Sequence, residues 1–167
     1  MKKNGFTLVE LMVVICIVAL LMGIALDRLQ RYQELGERTA MEQNIAMMNV
    51  ALTMKFAALV AAGRGQTIKT EAGANPVDLL ARPPENYLGA LHSPPVETLP
   101  PRSWYFDRDS GDLVYLPGRT RYLTEPLDAI NGLRFRVILT DQSQRQEVAE
   151  LPLALVRPKQ AYRWSID

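Results

Sequence analysis

Lys2-Lys3-Asn4-Gly5-Phe6-Thr7-Leu8-Val9-Glu10 runs directly into an apolar stretch from Leu11 to Leu26. Two lysines lead to a glycine, then to a phenylalanine, then to a hydrophobic helix with one carboxylate near its start. A charge inside a membrane-length apolar segment costs about 2.5–3.5 kcal/mol on insertion scales. A carboxylate placed there calls for a partner.

Three readings compete for this segment. A cleaved secretory signal has a basic start, an apolar core and a small-residue site, and Gly23-Ile24-Ala25 loosely offers one. A plain membrane anchor needs about 20 apolar residues, which Phe6 to Leu26 supplies. The third is a leader cut ahead of the apolar segment instead of behind it. Neither a signal core nor a plain anchor has a use for Glu10, whereas Gly5 immediately before Phe6 fits the third.

Gly5-Phe6-Thr7-Leu8-Val9-Glu10 resembles the processing motif of type IV pilins and of the pseudopilins of type II secretion. The resemblance covers about the first quarter of the chain, and the motif is a specific one. It implies that a prepilin peptidase cuts between Gly5 and Phe6 and then N-methylates Phe6. Glu10 stands at the fifth mature position, where the family keeps its glutamate. The resemblance implies that this carboxylate pairs with the amine of a neighbouring subunit's first residue and sets register in a helical filament. Electrostatics agrees with that role. Two unpaired charges in an apolar core are costly, whereas a pair offsets part of the cost and fixes geometry. The implied partners are prepilin peptidase, other pilin or pseudopilin subunits, and a membrane assembly platform with its cytoplasmic ATPase.

Composition bounds the remainder. The 167 residues leave room for one domain beside the anchor. Charge is nearly balanced, with 19 basic and 18 acidic residues, and loss of residues 1–5 leaves 17 basic side chains. No nucleic-acid partner is expected, since that calls for a basic patch. The only cysteine, Cys16, lies in the apolar segment, so no intramolecular disulfide can form. Many major type IV pilins staple a C-terminal loop with a disulfide; this departure favours a pseudopilin or a minor pilin. Lys2 and Lys3 are expected to keep the N-terminus cytoplasmic, and with the resemblance this implies a head in the periplasm, anchored to the bacterial inner membrane. Arg28 and Arg31, just past the apolar run, blur that count.

The organisation expected is a leader at 1–5, a membrane and filament-core helix at 6–26, an amphipathic helical spine at 27–63, and a globular head at 64–167. The helix is expected to run from about Phe6 to about Ala62. Leu29, Tyr32 and Leu35 begin one face, and Ile45, Met48, Leu52, Phe56 and Leu59 recur at helical steps. Glu34 and Arg38 form an i,i+4 pair in the favoured order. Gly63 and Gly65 mark the stop. Pilins commonly carry a bending proline near the position of Asp27; here there is none before Pro76, and Gly23 and Gly36 are the weak points. Met41, Met47, Met48 and Met54 read as gap-filling in a helix–sheet core in preference to a soft docking surface.

Within the head, residues 64–75 read as a loop with a short strand near Thr67-Ile68-Lys69. Asn75-Pro76 starts a short helix to Ala81, with Val77, Leu79 and Leu80 inward. Six prolines between Arg82 and Arg102 exclude regular helix and central strand; this stretch reads as an ordered crossing anchored by Tyr87, Leu88 and Leu91, with His92 on the surface. Ser103–Asp107 and Asp112–Leu116 form a hairpin around a glycine-containing turn. Arg134–Thr140 is a strand with Phe135, Val137 and Leu139 on one face. A strand over 147–156, interrupted or held at an edge by Pro152, and an edge strand over 161–166 complete an antiparallel sheet. Asn75-Pro76, Tyr87-Leu88-Gly89 and the hairpin also resemble the heads of some pilin-like proteins, far less specifically. The fold expected is α+β, a long N-terminal helix packed on a C-terminal antiparallel sheet.

Asp107, Asp109 and Asp112 cluster at the hairpin tip. They could supply oxygens to a calcium ion, but Gly111 and Gly118 do not fall where a calcium loop needs glycine and glutamate, and a turn role is preferred. One histidine and one membrane cysteine leave no metal motif, no cofactor site and no catalytic constellation. The chain reads as a structural subunit and not an enzyme. The alternative is a periplasmic enzyme or binding protein on an ordinary uncleaved anchor.

Overall fold

The computed structural model describes residues 7–65, 67, 73–125, 132–140 and 153–165. One helix, α1, runs unbroken for 54 residues from Leu8 to Ala61, about 80 Å at 1.5 Å per residue. Thr7 caps it: the Glu10 backbone N–H donates to Thr7 Oγ1 at 3.2 Å, satisfying one of the orphan donors of the first turn. The helix passes straight through Gly23 and Gly36. It ends where Gly63 takes a φ of +69°, a conformation natural to glycine.

The head contains a five-stranded sheet. Its strands are β1 (Tyr87–Leu91), β2 (Ser103–Asp107), β3 (Asp112–Leu116), β5 (Leu133–Thr140) and β6 (Leu153–Pro158), adjacent in that order. β4 (Leu123–Glu125) and β7 (Arg163–Trp164) form a separate two-stranded ribbon. The architecture is the expected α+β, one long helix on a sheet. The β2–β3 hairpin has the expected bounds and pairs Ser103 with Leu116 and Asp107 with Asp112. Gly111, at φ +69°, closes its turn by donating to Asp107 O at 2.8 Å.

Several local expectations are corrected. The sheet is mixed, because β1 lies parallel to β2. That strand comes from the proline-rich crossing, between Pro84 and Pro94, and occupies an edge, where few ladder donors are needed. The segment at 76–81 is a 3-10 turn over Pro76–Leu79. The strand expected over 147–156 spans Leu153–Pro158, and residues 141–152, Pro152 included, lie outside the described residues. So do Ile68 and Lys69 of the strand expected near Thr67. The last strand pairs with β4 and not with the main sheet. Leu29, Tyr32 and Leu35 are exposed, and Arg38 pairs with Glu42 at 2.9 Å, not with Glu34.

The main core lies between α1 and the sheet. Met41, Met48, Leu52 and Phe56 meet Trp104, Leu113, Tyr115, Phe135, Val137 and Val156. Met47 and Met54 instead face outward, so the gap-filling reading holds for two methionines of the four. Strand alternation sends Tyr105, Val114 and Leu116 to the opposite face of the sheet, where Leu91, Val96 and Leu99 of the crossing cover them.

Candidate assembly site

The N-terminal half of α1 is bare. Side chains from Leu8 to Leu26 are exposed and none joins the core of the head. This part of the helix is long and apolar enough to cross a membrane. Glu10 sits in its first turn, exposed, with its backbone tied to the Thr7 cap. There the helix dipole favours a negative charge, and the carboxylate projects from an otherwise apolar rod. Gly5 and Phe6 lie outside the described residues.

The other half of α1 carries a feature that the sequence reading missed. Glu34 and Glu37 are buried, at 2% and 8% exposure. Glu34 Oε1 accepts from the Tyr122 backbone N–H and from Trp164 Nε1, both at 2.8 Å. Glu37 Oε1 accepts from the Gly118 N–H at 2.6 Å and from the Tyr115 hydroxyl at 3.1 Å, while its Oε2 takes Arg102 Nε at 3.0 Å. The two carboxylates thus clamp the 117–122 loop, β3 and β7 to the helix. Burial pushes the Tyr115 hydroxyl pKa up, and the adjacent Glu37 charge pushes the same way. Gly118 is fixed by contact: a Cβ there would meet Arg102 Cγ at 2.6 Å. The signal was in the helical step. Continuing it upstream from Ile45 lands on Met41, Glu37 and Glu34.

At the hairpin tip each aspartate already has partners. Asp107 accepts from Ser110 Oγ at 2.7 Å, from the Asp109 N–H at 3.1 Å and from Arg134 at 3.3 Å. Burial works against its charge, but the Ser110, Asp109, Arg134 and Ser93 hydrogen bonds outweigh it and hold the pKa at about 2. Asp112 pairs with Arg136 at 2.6 Å and with Lys159 at 3.0 Å. Asp109 meets exposed His92 at 2.9 Å. The three carboxylates therefore face cations and turn donors, not one another. Among the described residues, no group of three or more His, Cys, Asp or Glu side chains could hold a metal ion.

No curated protein and no solved structure matches the chain. A family model does. Residues 1–26 match the prokaryotic N-terminal methylation motif, a match that takes in Glu10, its capped first turn and the bare rod.

Proposed function

We propose that this chain is a structural subunit, a pseudopilin or minor pilin, of a type II secretion pseudopilus or a type IV pilus. The observation that carries the reading is the methylation motif at 1–26 on a helix whose apolar half is exposed and, among the described residues, joins no core of its own head. A soluble protein would have to cover that surface. A bilayer covers it before assembly, and neighbouring subunits cover it afterwards.

In this reading prepilin peptidase removes residues 1–5 and methylates Phe6. Residues 6–26 anchor the chain in the inner membrane with the head in the periplasm. Residues 27–63 form the spine, and residues 64–167 the head. A membrane platform and its cytoplasmic ATPase drive extraction. Glu10 pairs with the N-terminal ammonium of a neighbour, accepting its hydrogen bond, and the pairing fixes axial register. The absence of any cysteine but Cys16 supports a pseudopilin or minor pilin over a disulfide-stapled major subunit.

The test is Glu10→Ala in the assembling cell. The variant should insert into the membrane normally, because removing a carboxylate eases insertion. Its recovery in sheared or cross-linked filaments should fall at least about tenfold, the loss of roughly 1.4 kcal/mol or more of pairing. Wild-type recovery would remove the charge-pair role.

A further inference from the structure

Arg28 and Arg31 follow the apolar run on the side that the anchored reading places outside the cytoplasm, contrary to the usual positive-inside bias. The fold adds two more cations at the same level. The 117–122 loop folds back to the base of the spine, where Arg121 Nη1 donates to Asp27 Oδ1 at 3.2 Å and to Gln30 Oε1 at 3.3 Å. Arg119 belongs to the same loop. Arg31 and Arg121 lie over the Tyr122 ring, 5.9 and 5.7 Å from its centroid. Among the described residues, no carboxylate pairs with Arg28, Arg31 or Arg119. The Nε atoms of Arg31 and Arg119 are shielded and make no hydrogen bond. Asp27 is the only acidic residue in 27–33 and 117–124, against four arginines.

Depth decides what meets this excess charge. Leu8 to Leu26 spans about 28 Å of helix, close to the roughly 30 Å of a bilayer's hydrocarbon core. Residues 27–32 then fall in the headgroup layer, which adds about 5–8 Å on each side. Tyr32, 63% exposed, stands at the depth where aromatic belts form. We propose that Arg28, Arg31, Arg119 and Arg121 form a collar that binds the phosphates of anionic phospholipid headgroups where the head meets the membrane. The collar rests on the membrane-anchor reading of α1. It holds the head down on an anionic surface, and extraction into a filament has to break those contacts.

The experiment uses the full chain in vesicles of phosphatidylcholine with phosphatidylglycerol. Flotation first shows whether the chain is anchored, and spin-labelled lipids then report which species is immobilised at the protein. Phosphatidylglycerol should be preferred by at least about fivefold, the equivalent of one engaged charge near the surface. The preference should collapse in R28Q/R119Q, a pair that meets no carboxylate among the described residues. It should also collapse for the unaltered chain when salt rises from about 0.05 to about 0.5 M, a readout that needs no variant to fold. Flotation with no lipid preference would overturn the collar and leave the anchor intact. The same would follow if R28Q/R119Q weakened cross-linking between copies with no lipid preference, which would assign the arginines to a protein partner. Failure to float would overturn the anchor reading, and the collar with it.

Discussion

The two halves of α1 share one unbroken backbone and have opposite relations to the head. From Leu8 to Leu26 the helix is apolar and wholly exposed, with a lone carboxylate at Glu10. From Glu34 to Phe56 it is mixed in composition, yet it buries Met41, Met48, Leu52 and Phe56 together with two glutamates. The greasier half is the uncovered one. Burial in this chain therefore does not follow hydrophobicity alone. It follows what is supplied opposite: a sheet and a ring of donors for the second half and, in the proposed reading, a bilayer or other subunits for the first. Carboxylates mark both halves. Glu34 and Glu37 are satisfied within the chain, whereas Glu10 keeps its carboxylate outward.

That contrast breaks most easily at Glu37. Glu37→Ala leaves Gly118 N–H, the Tyr115 hydroxyl and Arg102 without their acceptor, and should destabilise the head by about 3–5 kcal/mol. Denaturant unfolding of the full chain in detergent, followed by the fluorescence of Trp104 and Trp164, reads this directly. A loss under about 1 kcal/mol would mean that the carboxylate is no clamp.

Next come two methionines six residues apart. Met48 is fully buried and Met54 is 69% exposed. Met48→Ala should cost about 2–5 kcal/mol and Met54→Ala under about 0.5 kcal/mol in the same assay. Equal costs would mean that the outward face is packed within the isolated chain.

Acid should loosen the hairpin tip. Asp107 has its pKa held down at about 2, below the ordinary value near 3.9. Its contribution is fully present above about pH 4 and is lost as pH falls through 2, amounting to roughly 2 kcal/mol. Unfolding midpoints at pH 6 and pH 2 should differ less in Asp107→Asn than in the unaltered chain. An identical difference would show that Asp107 does not contribute.

The smallest effect belongs to the bare half. Leu20→Ala removes a side chain 68% exposed, so head stability should change by less than about 0.5 kcal/mol. A larger change would mean that the apolar half folds back on the head.

Much of this was legible in residue order. The β2–β3 hairpin showed itself through aromatic and β-branched runs around Gly111, and its register follows from the short turn. The long helix showed itself through an apolar run with no proline before Pro76. The inward face of the lower spine did not. Glutamates are seldom buried without partners, and their partners here come from residues 65 or more positions away. No local pattern announces such donors, so Leu29, Tyr32 and Leu35 looked like the natural inward face. β1 was hidden for a related reason. Prolines on both sides discourage a strand assignment, and only its pairing with β2 supplies the ladder. The site residues divide in the same way. Glu10 stood out because a charge in an apolar run is anomalous by itself, whereas Glu34 and Glu37 looked like ordinary solvated charges.

The central claim is that the bare half is a processed prepilin-type anchor, and the mass of the native chain tests it most directly. Intact mass and the N-terminal peptide of protein extracted from its own membranes should show a chain beginning at Phe6 with one added methyl group. A chain beginning at Met1 would contradict the account and leave an ordinary uncleaved anchor in its place.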